Sequence, residues 1–330
     1  MCLLGALWST LTAGGVTVMR MTYKELKDEI AKIVPRNIDY NVDLEAGNIA
    51  IITKNMKPFT GSDGLIGKIA RRIKRKIVLR TPIDSMMDVD KTRDVIQEII
   101  PEEAEITEMY FDACYREVTI QCKLPGTAIG RRGENSNTIR DKTGWSVKVE
   151  RAPHLFAKTI HDIRMYRQTN GEERRKLLKD FGLNIHRPTR PGNPWARVTA
   201  LGSYREVGRA CHLVTTNESR IMIDVGVNVA NDNDPMPFFT APEALPLEKL
   251  DAVILTHAHL DHAGMLPVLF KFGYRGPVYC TPPTRDLMLL LQTDYLKIGG
   301  AEGKVPPYGM EDIRTLSLIH ISEPTRPLTI

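Results

Sequence analysis

The chain has 330 residues, of which 42% are hydrophobic and 26% are charged, and its formal net charge is +5. This length and hydrophobic content predict two or three packed domains. No run approaches the roughly 18 apolar residues that span a bilayer, so the composition excludes a membrane protein. The five cysteines form no C-x-x-C pair, which favours free thiols and a reducing, cytoplasmic location.

Both ends of the chain are predicted to lie outside the folded domains. Residues 1–20 contain an apolar patch without a preceding basic residue, a poor signal peptide, and we interpret them as a non-native extension before Met21. Residues 316–330 show no sustained periodicity and resemble a translated sequencing adapter. We therefore expect an artefactual tail there that adds nothing to stability.

Residues 21–88 and 89–152 are predicted to repeat one order of elements, α-β-β-α-β. The first copy is predicted to contain a helix, two strands, a helix and a strand, at residues 23–33, 37–44, 48–53, 65–76 and 77–80. The second copy is predicted to contain the same elements at residues 91–100, 105–111, 117–124, 134–143 and 146–150. Each copy is expected to pack one helical layer on a three-stranded sheet.

The second copy has a basic glycine loop, Gly130-Arg131-Arg132-Gly133, directly before its second helix. The two glycines let the backbone approach a phosphate, the arginines supply charge, and the helix presents its first amides. The loop resembles the G-x-x-G loop of KH domains. The resemblance implies that Gly130, Arg131, Arg132 and Gly133 bind single-stranded RNA.

The first copy has the same glycine spacing at residues 61–64, but Asp63 between the glycines would repel phosphate. We interpret this copy as a KH-like fold with a degenerate loop. Its following helix has an apolar stripe and an opposite basic face, formed by Lys68, Arg71, Arg72 and Arg75. A solvated face and an RNA contact both explain this pattern, and the uniformly basic sign favours RNA.

Residues 153–194 are predicted to form a charged linker, which is helical over residues 157–181 and has a proline- and arginine-rich end. The third domain is predicted to span residues 195–315. Its strands are expected at 197–201, 210–216, 220–225, 252–255 and 278–280, with helices at 264–271 and 284–297.

A cluster of metal-binding side chains follows the strand at 252–255, in the run Thr256-His257-Ala258-His259-Leu260-Asp261-His262. His257 and His259 have the same parity, so in extended geometry their rings point to one side and hold one ion. Asp261 and His262 follow where a helix starts, and they are expected to face a second ion. Imidazole and carboxylate ligands suit Zn²⁺, and two neighbouring ions indicate hydrolysis.

This H-x-H-x-D-H run after an apolar strand resembles the metallo-β-lactamase superfamily. Residues 202–211, 220–226 and 281–287 narrow the resemblance to the β-CASP nucleases, its RNA-processing branch. The resemblance implies that Asp224 supports the metal loop without binding zinc and that Asp261 is catalytic. The implied fold class is α+β and α/β: two tandem KH-like domains, then the N-terminal part of a metallo-β-lactamase αββα fold.

Two KH-like units before such a segment resemble the archaeal relatives of the cleavage and polyadenylation specificity factor nuclease. The resemblance implies a zinc-dependent ribonuclease, with two Zn²⁺ ions, that acts in RNA 3′-end processing and transcription termination. It also implies single-stranded RNA as substrate, RNA polymerase as a candidate partner, and a homodimer in the complete family member. Because that family takes further ligands from later residues, we expect this fragment to be inactive.

Two other functions remain open from the sequence. One is an RNA-binding module with an incomplete metal site. The other is a small-molecule metallo-hydrolase of the glyoxalase or lactamase type, which shares the run from His257 to His262 but does not explain the duplicated KH-like region.

Overall fold

The computed structural model describes residues 21–60, 64–153, 155–188, 195–231 and 233–322, with side chains described as far as residue 317. Residues 19–187 form one compact unit, and residues 188–330 belong to another. The interpretation of residues 1–20 as an extension lies outside the described residues.

The first copy has the predicted order of elements, with shorter bounds. Its elements are α1 (Tyr23–Ala31), β1 (Asn41–Glu45), β2 (Asn48–Ile52), α2 (Leu65–Ile73) and β3 (Ile77–Arg80). Thr22 caps α1 through a capping box, since its side chain accepts from Glu25 N and the Glu25 carboxylate accepts from Thr22 N. The sheet order is β1-β2-β3, with an antiparallel first pair and a parallel second pair.

The second copy repeats this order and adds one short helix. Its elements are α3 (Val89–Ile99), β4 (Ile106–Asp112), β5 (Glu117–Cys122), α4 (Pro125–Ile129), α5 (Glu134–Thr143) and β6 (Ser146–Arg151). The sheet order is β4-β5-β6, again antiparallel and then parallel. The matching topology confirms the predicted α+β architecture of this region.

Each copy has its own apolar core between its helices and its sheet. In the first copy Leu26 and Ile30 of α1 pack with Ile69 and Ile73 of α2. In the second copy Ile139 of α5 belongs to a cluster with Phe111 and Trp145, whose rings meet edge to face at 5.0 Å. Two separate cores explain why each copy shows its own hydrophobic periodicity.

The connector after the second copy is helical, as predicted, and consists of two consecutive helices. These are α6 (Lys158–Thr169) and α7 (Gly171–Ile185). The helical conformation is interrupted at Asn170. A Cβ added to Gly171 would lie 3.2 Å from the Cβ of Ala113. The second helix also packs on the first copy, where Leu178 O accepts a hydrogen bond from Ala46 N.

The second unit contains a mixed six-stranded sheet in the order β12-β11-β10-β9-β8-β7. Its strands are β7 (Ala196–Gly202), β8 (Cys211–Thr216), β9 (Arg220–Ile223), β10 (Ala252–Ile254), β11 (Val278–Cys280) and β12 (His320–Ser322). Its helices are α8 (Leu260–Ala263), α9 (Leu266–Lys271), α10 (Pro282–Ala301) and α11 (Met310–Ile319). The strands from β9 to β12 are parallel, whereas β7, β8 and β9 are antiparallel.

One face of this sheet is fully covered. A row of cross-strand neighbours on that face is buried, formed by Leu213, Met222, Val253 and Val278. The next residue along β10, Ile254, points to the other face and is 39% exposed. The sheet therefore has one buried face and one more open face, as the alternation of side chains in a strand requires.

The chain continues its fold past Thr315, which corrects the expected end of structure there. Helix α11 runs to Ile319, and β12 then pairs in parallel with β11. Leu316 and Ser317 are fully buried. Tertiary packing therefore stabilises a segment whose local pattern predicted neither a helix nor a strand.

Among the described residues, Cys114, Cys122, Cys211 and Cys280 are buried and form no disulfide bond. Burial raises the pKa of the Cys114 thiol to about 12, so this thiol stays protonated at neutral pH. Across the described residues, no helix combines the length and the apolar character needed to cross a bilayer.

Candidate functional site

The candidate metal loop leaves the carboxyl end of β10, between two parallel neighbours. The last two candidate ligands, Asp261 and His262, lie in the short helix α8, and His259 is the residue directly before this helix. The prediction that Asp261 and His262 lie at a helix start is consistent with this geometry. Ligands at the end of a central strand are held by a rigid scaffold.

Asp224 holds the metal loop through its carboxylate. Thr256 donates to it from its backbone N at 2.8 Å and from its hydroxyl at 2.9 Å, and His262 donates from Nδ1 at 2.9 Å. Asp224 is buried and has a left-handed φ of 58°, a conformation that Asp tolerates better than most residues. The implied supporting role of Asp224 agrees with these contacts.

The same contacts orient two imidazole rings. The Thr256 hydroxyl lies 3.0 Å from Nδ1 of His257, and because its single proton goes to Asp224, it accepts from that ring nitrogen. Asp224 likewise accepts from Nδ1 of His262. Both rings therefore carry their lone pair on Nε2, which is the atom left to bind a metal ion.

Three candidate ligands lie together, with one ligand atom from each of His257, Asp261 and His262 within 4.8 Å of the others. Nε2 of His262 lies 3.5 Å from Oδ2 of Asp261. His259 is exposed and is not part of this group; its ring centroid lies 4.8 Å from that of His257. The structure thus brings three of the four predicted ligands together, while the predicted pairing of His257 with His259 stays a prediction.

This donor set fits a divalent transition metal. Two neutral imidazole nitrogens and one carboxylate are ligands that Zn²⁺ takes in catalytic sites. The carboxylate behind His262 gives the support that metal-bound histidines usually have. The residues present therefore suit a metal ion.

Backbone contacts hold Asp261 in its position. Its carbonyl accepts from Ala210 N at 2.8 Å. A Cβ on Gly226 would lie 1.7 Å from that same oxygen, so only glycine fits there. The chain after β9 therefore packs directly against the metal loop.

The loop before Ala210 is anchored by Arg209, which bonds Glu206 at 2.6 Å and the Asp234 carboxylate at 2.8 Å. The hydrogen bond from Arg209 lowers the pKa of Glu206 and keeps that carboxylate ionised. Ser203 and Arg205 in this loop have left-handed φ angles of 70° and 61°. Such strain persists only where surrounding contacts over-determine the backbone.

The glycine loop of the second copy lies between α4 and α5. Gly130, Arg132 and Gly133 all have left-handed φ angles, of 76°, 52° and 78°. Arg131 and Arg132 are exposed. The loop therefore offers charged side chains and a helix start at one place, as the proposed phosphate contact requires.

The basic residues of the first copy divide into three groups. Lys68 and Arg71 are exposed on α2, whereas Arg72 is paired with Glu29 at 2.7 Å. Helix α2 ends at Ile73, so Arg75 does not lie on it, which corrects the predicted helix to residue 76. Burial lowers the pKa of Arg75. The degenerate loop at residues 61–63 lies outside the described residues.

Two family models match the chain. The model described as "Metallo-beta-lactamase superfamily" matches residues 204–282, which contain the metal loop and Asp224. The segment of residues 204–282 belongs to the metallo-β-lactamase superfamily. A second model, "Transcription termination factor FttA, KH domain", matches residues 20–86, so it identifies the first copy as a KH domain.

Curated relatives match the chain over most of its length. The proteins named "Transcription termination factor FttA" from Methanosarcina mazei and Methanothermobacter thermautotrophicus are each 42% identical to it, over 285 and 294 residues. These matches cover 86% and 88% of the chain, and 45% and 46% of the relatives. The chain thus spans about half the length of the curated relatives that it matches.

Two supporting residues were missed by the sequence reasoning. Thr256 was read as part of the run but received no role, although it bonds both Asp224 and His257. Gly226 lies in the segment 220–226 but received no role, although the absence of a side chain there lets the Asp261 carbonyl approach closely. The role of Thr256 could have been suspected from its position directly before the first His of the run. The contact of Gly226 depends on tertiary packing and has no local sequence signal.

Proposed function

We propose that the chain is the RNA-binding and metal-binding part of a zinc-dependent ribonuclease that acts in RNA 3′-end processing and transcription termination. The observation that carries this proposal is the cluster of His257, Asp261 and His262, together with the hydrogen bond between Asp224 and Nδ1 of His262. The curated relatives named as termination factors support the same function.

His257 and His259 would hold one ion, and Asp261 and His262 would hold the other, in the two-ion arrangement that the family resemblance implies. When bound, the metal would polarise the scissile phosphodiester and promote its hydrolysis by water. The role of the chain itself is orientation. Asp224 and Thr256 keep Nδ1 of both rings protonated, and the Ala210 contact fixes the peptide of Asp261.

RNA would bind to the KH units, chiefly through Gly130, Arg131, Arg132 and Gly133, with Lys68 and Arg71 as further contacts on α2. Left-handed backbone at the loop glycines lets the main chain approach a phosphate closely. RNA polymerase as a partner, and dimerisation, belong to the same proposal for the longer protein.

Zinc binding tests the metal half of the proposal. Titration of the chain should show saturable Zn²⁺ binding that His262→Ala weakens by about tenfold or more, because one of three clustered ligands is lost. His212→Ala, a histidine on β8, is the matched control and should bind zinc like the wild type. Equal affinity of the His262→Ala protein would contradict the assignment.

RNA binding tests the other half. Arg131→Asp with Arg132→Asp should abolish binding of a short single-stranded RNA in a fluorescence titration, because charge is reversed at the phosphates. The control is Lys297→Asp with Arg314→Asp, which changes net charge equally at exposed positions of the other unit. Unchanged affinity in the first variant would refute the contact.

Catalysis is tested in the longer protein. Zinc-dependent RNA cleavage should be lost in His259→Ala and Asp261→Ala, with RNA affinity much less affected, because the KH units bind RNA without the metal. This chain alone should bind RNA and cleave none. Tight zinc binding without RNA binding would instead support a small-molecule hydrolase, and RNA binding without zinc binding would support a pure RNA-binding module.

A further inference from the structure

The glycine loop of the second copy is held by the side chain of Asn135, for which the sequence pattern predicted no role. Asn135, in the first turn of α5, donates from Nδ2 to the carbonyls of Thr127 at 3.2 Å and Ala128 at 3.3 Å. Both carbonyls lie near the end of α4, where helix carbonyls lack partners within the helix. One amide therefore connects the helix before the loop to the helix after it.

The fit between Asn135 and the loop is close. A Cβ on Gly130 would lie 2.9 Å from Cγ of Asn135, so the amide lies directly against the loop backbone. Gly130 has a φ of 76° and a ψ of 174°, a combination that is open to glycine alone. Glycine at this position thus serves the approach of Asn135 as well as the turn.

The loop that Asn135 spans is strained. Arg132 has a left-handed φ of 52° without being a glycine, a conformation that is unfavourable for an L residue in an unconstrained chain. Such a conformation persists only where surrounding contacts hold the backbone, and the hydrogen bonds of Asn135 are contacts of this kind. Their loss would let the backbone that carries Arg131 and Arg132 relax towards ordinary angles.

We infer that Asn135 is a positioning residue for RNA binding, which holds the loop from Gly130 to Gly133 in its phosphate-binding conformation before RNA arrives. It acts through the loop backbone and not by touching RNA. The inference rests on the proposed RNA-binding function, which it deepens. Its effect is preorganisation, since a loop already in its bound conformation loses less entropy on binding.

The test compares Asn135→Ala with Asn137→Ala, two changes of the same residue type on the same helix. Asn137 is exposed and serves as the control. We expect Asn135→Ala to weaken binding of a short single-stranded RNA by about tenfold, as expected from two lost hydrogen bonds. Asn137→Ala should stay within about twofold of the wild type.

Two further measurements distinguish a positioning role of Asn135 from direct contact with RNA and from unfolding of the domain. The slope of log affinity against log salt should be unchanged in Asn135→Ala, because every basic residue remains, whereas Arg131→Ala should reduce it. Loop amides should exchange hydrogen faster in free Asn135→Ala, while the cooperative unfolding midpoint stays near that of the wild type. A reduced slope, or unchanged loop exchange, would overturn the inference.

A second pair of variants, matched in charge, tests the inference if the alanine substitution perturbs the helix. Asn135→Asp keeps the side-chain shape but removes the N–H donor, and Asn137→Asp adds the same charge two residues away. Asn135→Asp should bind more weakly than Asn137→Asp by about tenfold. Equal affinities would refute the positioning role. If the wild type bound no RNA, the proposed function itself would fail, which is a distinct result.

Discussion

Nδ1 of His262 lies 2.9 Å from Oδ2 of Asp224, a residue 38 positions earlier in the chain. The same carboxylate accepts from the backbone and the hydroxyl of Thr256. One buried side chain at the end of β9 therefore fixes both sides of the metal loop that leaves β10. This relationship gives the first prediction.

Asp224→Asn should weaken Zn²⁺ binding by about 10–100-fold, because Thr256 N and His262 Nδ1 donate to different carboxylate oxygens and an Asn side chain replaces one of these oxygens by an NH₂ group, which cannot accept. Asn also tolerates the left-handed backbone at this position, so the fold should persist. Competition with a chelating dye measures the affinity. Asp294→Asn, at an exposed position on α10, is the control, and equal affinities of the two variants would contradict the prediction.

Gly226→Ala should disrupt the metal loop by steric overlap, because its Cβ would lie 1.7 Å from the Asp261 carbonyl oxygen. We expect loss of zinc binding and a lower free energy of unfolding, measured by urea denaturation. Gly300→Ala on α10 is the matched control, since a Cβ there meets nothing within 4 Å. That control should be neutral or stabilising by up to about 1 kcal/mol, as expected for Gly to Ala in a helix. A fully stable, zinc-binding Gly226→Ala protein would show that the close approach does not matter.

The buried pair of Arg174 and Asp112, at 2.7 Å, should dominate the stability of the KH unit. Asp112→Asn should cost about 3–5 kcal/mol, because Arg174 is left charged and fully buried. Adding Arg174→Met should recover much of this loss in urea denaturation. No recovery in the double variant would argue that the pair acts through packing and not through charge.

The same pair predicts a dependence of stability on pH. Burial, the largest single effect, would raise the pKa of Asp112, but the charges of Arg174 and Arg167, together with hydrogen bonds from Arg174 and from the Tyr115 backbone, outweigh it and the net pKa is lowered. A lowered folded pKa means that the contribution is complete above the unfolded value of about 3.9 and is lost as pH falls towards the folded value. Wild-type stability should therefore fall below about pH 4 more steeply than that of the Asp112→Asn, Arg174→Met double variant. Parallel pH profiles of the two proteins would contradict the assignment.

Leu316→Ala should destabilise the second unit by about 2–5 kcal/mol, because the side chain is fully buried in α11. Arg314→Ala, two residues earlier on an exposed face, should change the free energy of unfolding by less than about 0.5 kcal/mol. Thermal and urea unfolding measure both. A neutral Leu316→Ala would restore the view that the segment from residue 316 adds nothing to the fold.

Local sequence determined much of this protein. The α-β-β-α-β order in both copies followed from hydrophobic periodicity and from breakers such as Pro101, because each copy buries its own core. The H-x-H-x-D-H run predicted a metal site, since its ligands are contiguous and follow one strand. Helix α5 and strands β3 and β11 have the predicted bounds for the same reason, as their caps and patterns are local.

Tertiary structure decided what depends on residues distant in sequence. Three features arise where one segment packs against another. They are the interruption of the helix at Asn170, the burial of Leu316 and the close approach of the Asp261 carbonyl to Gly226. The orientation of the His257 and His262 rings depends on their hydrogen bonds to Thr256 and Asp224, and the alternation of side chains along a strand carries no information about those bonds. The residue type alone determines which ligand atoms a side chain offers. The direction in which the side chain points depends on the residues that pack against it.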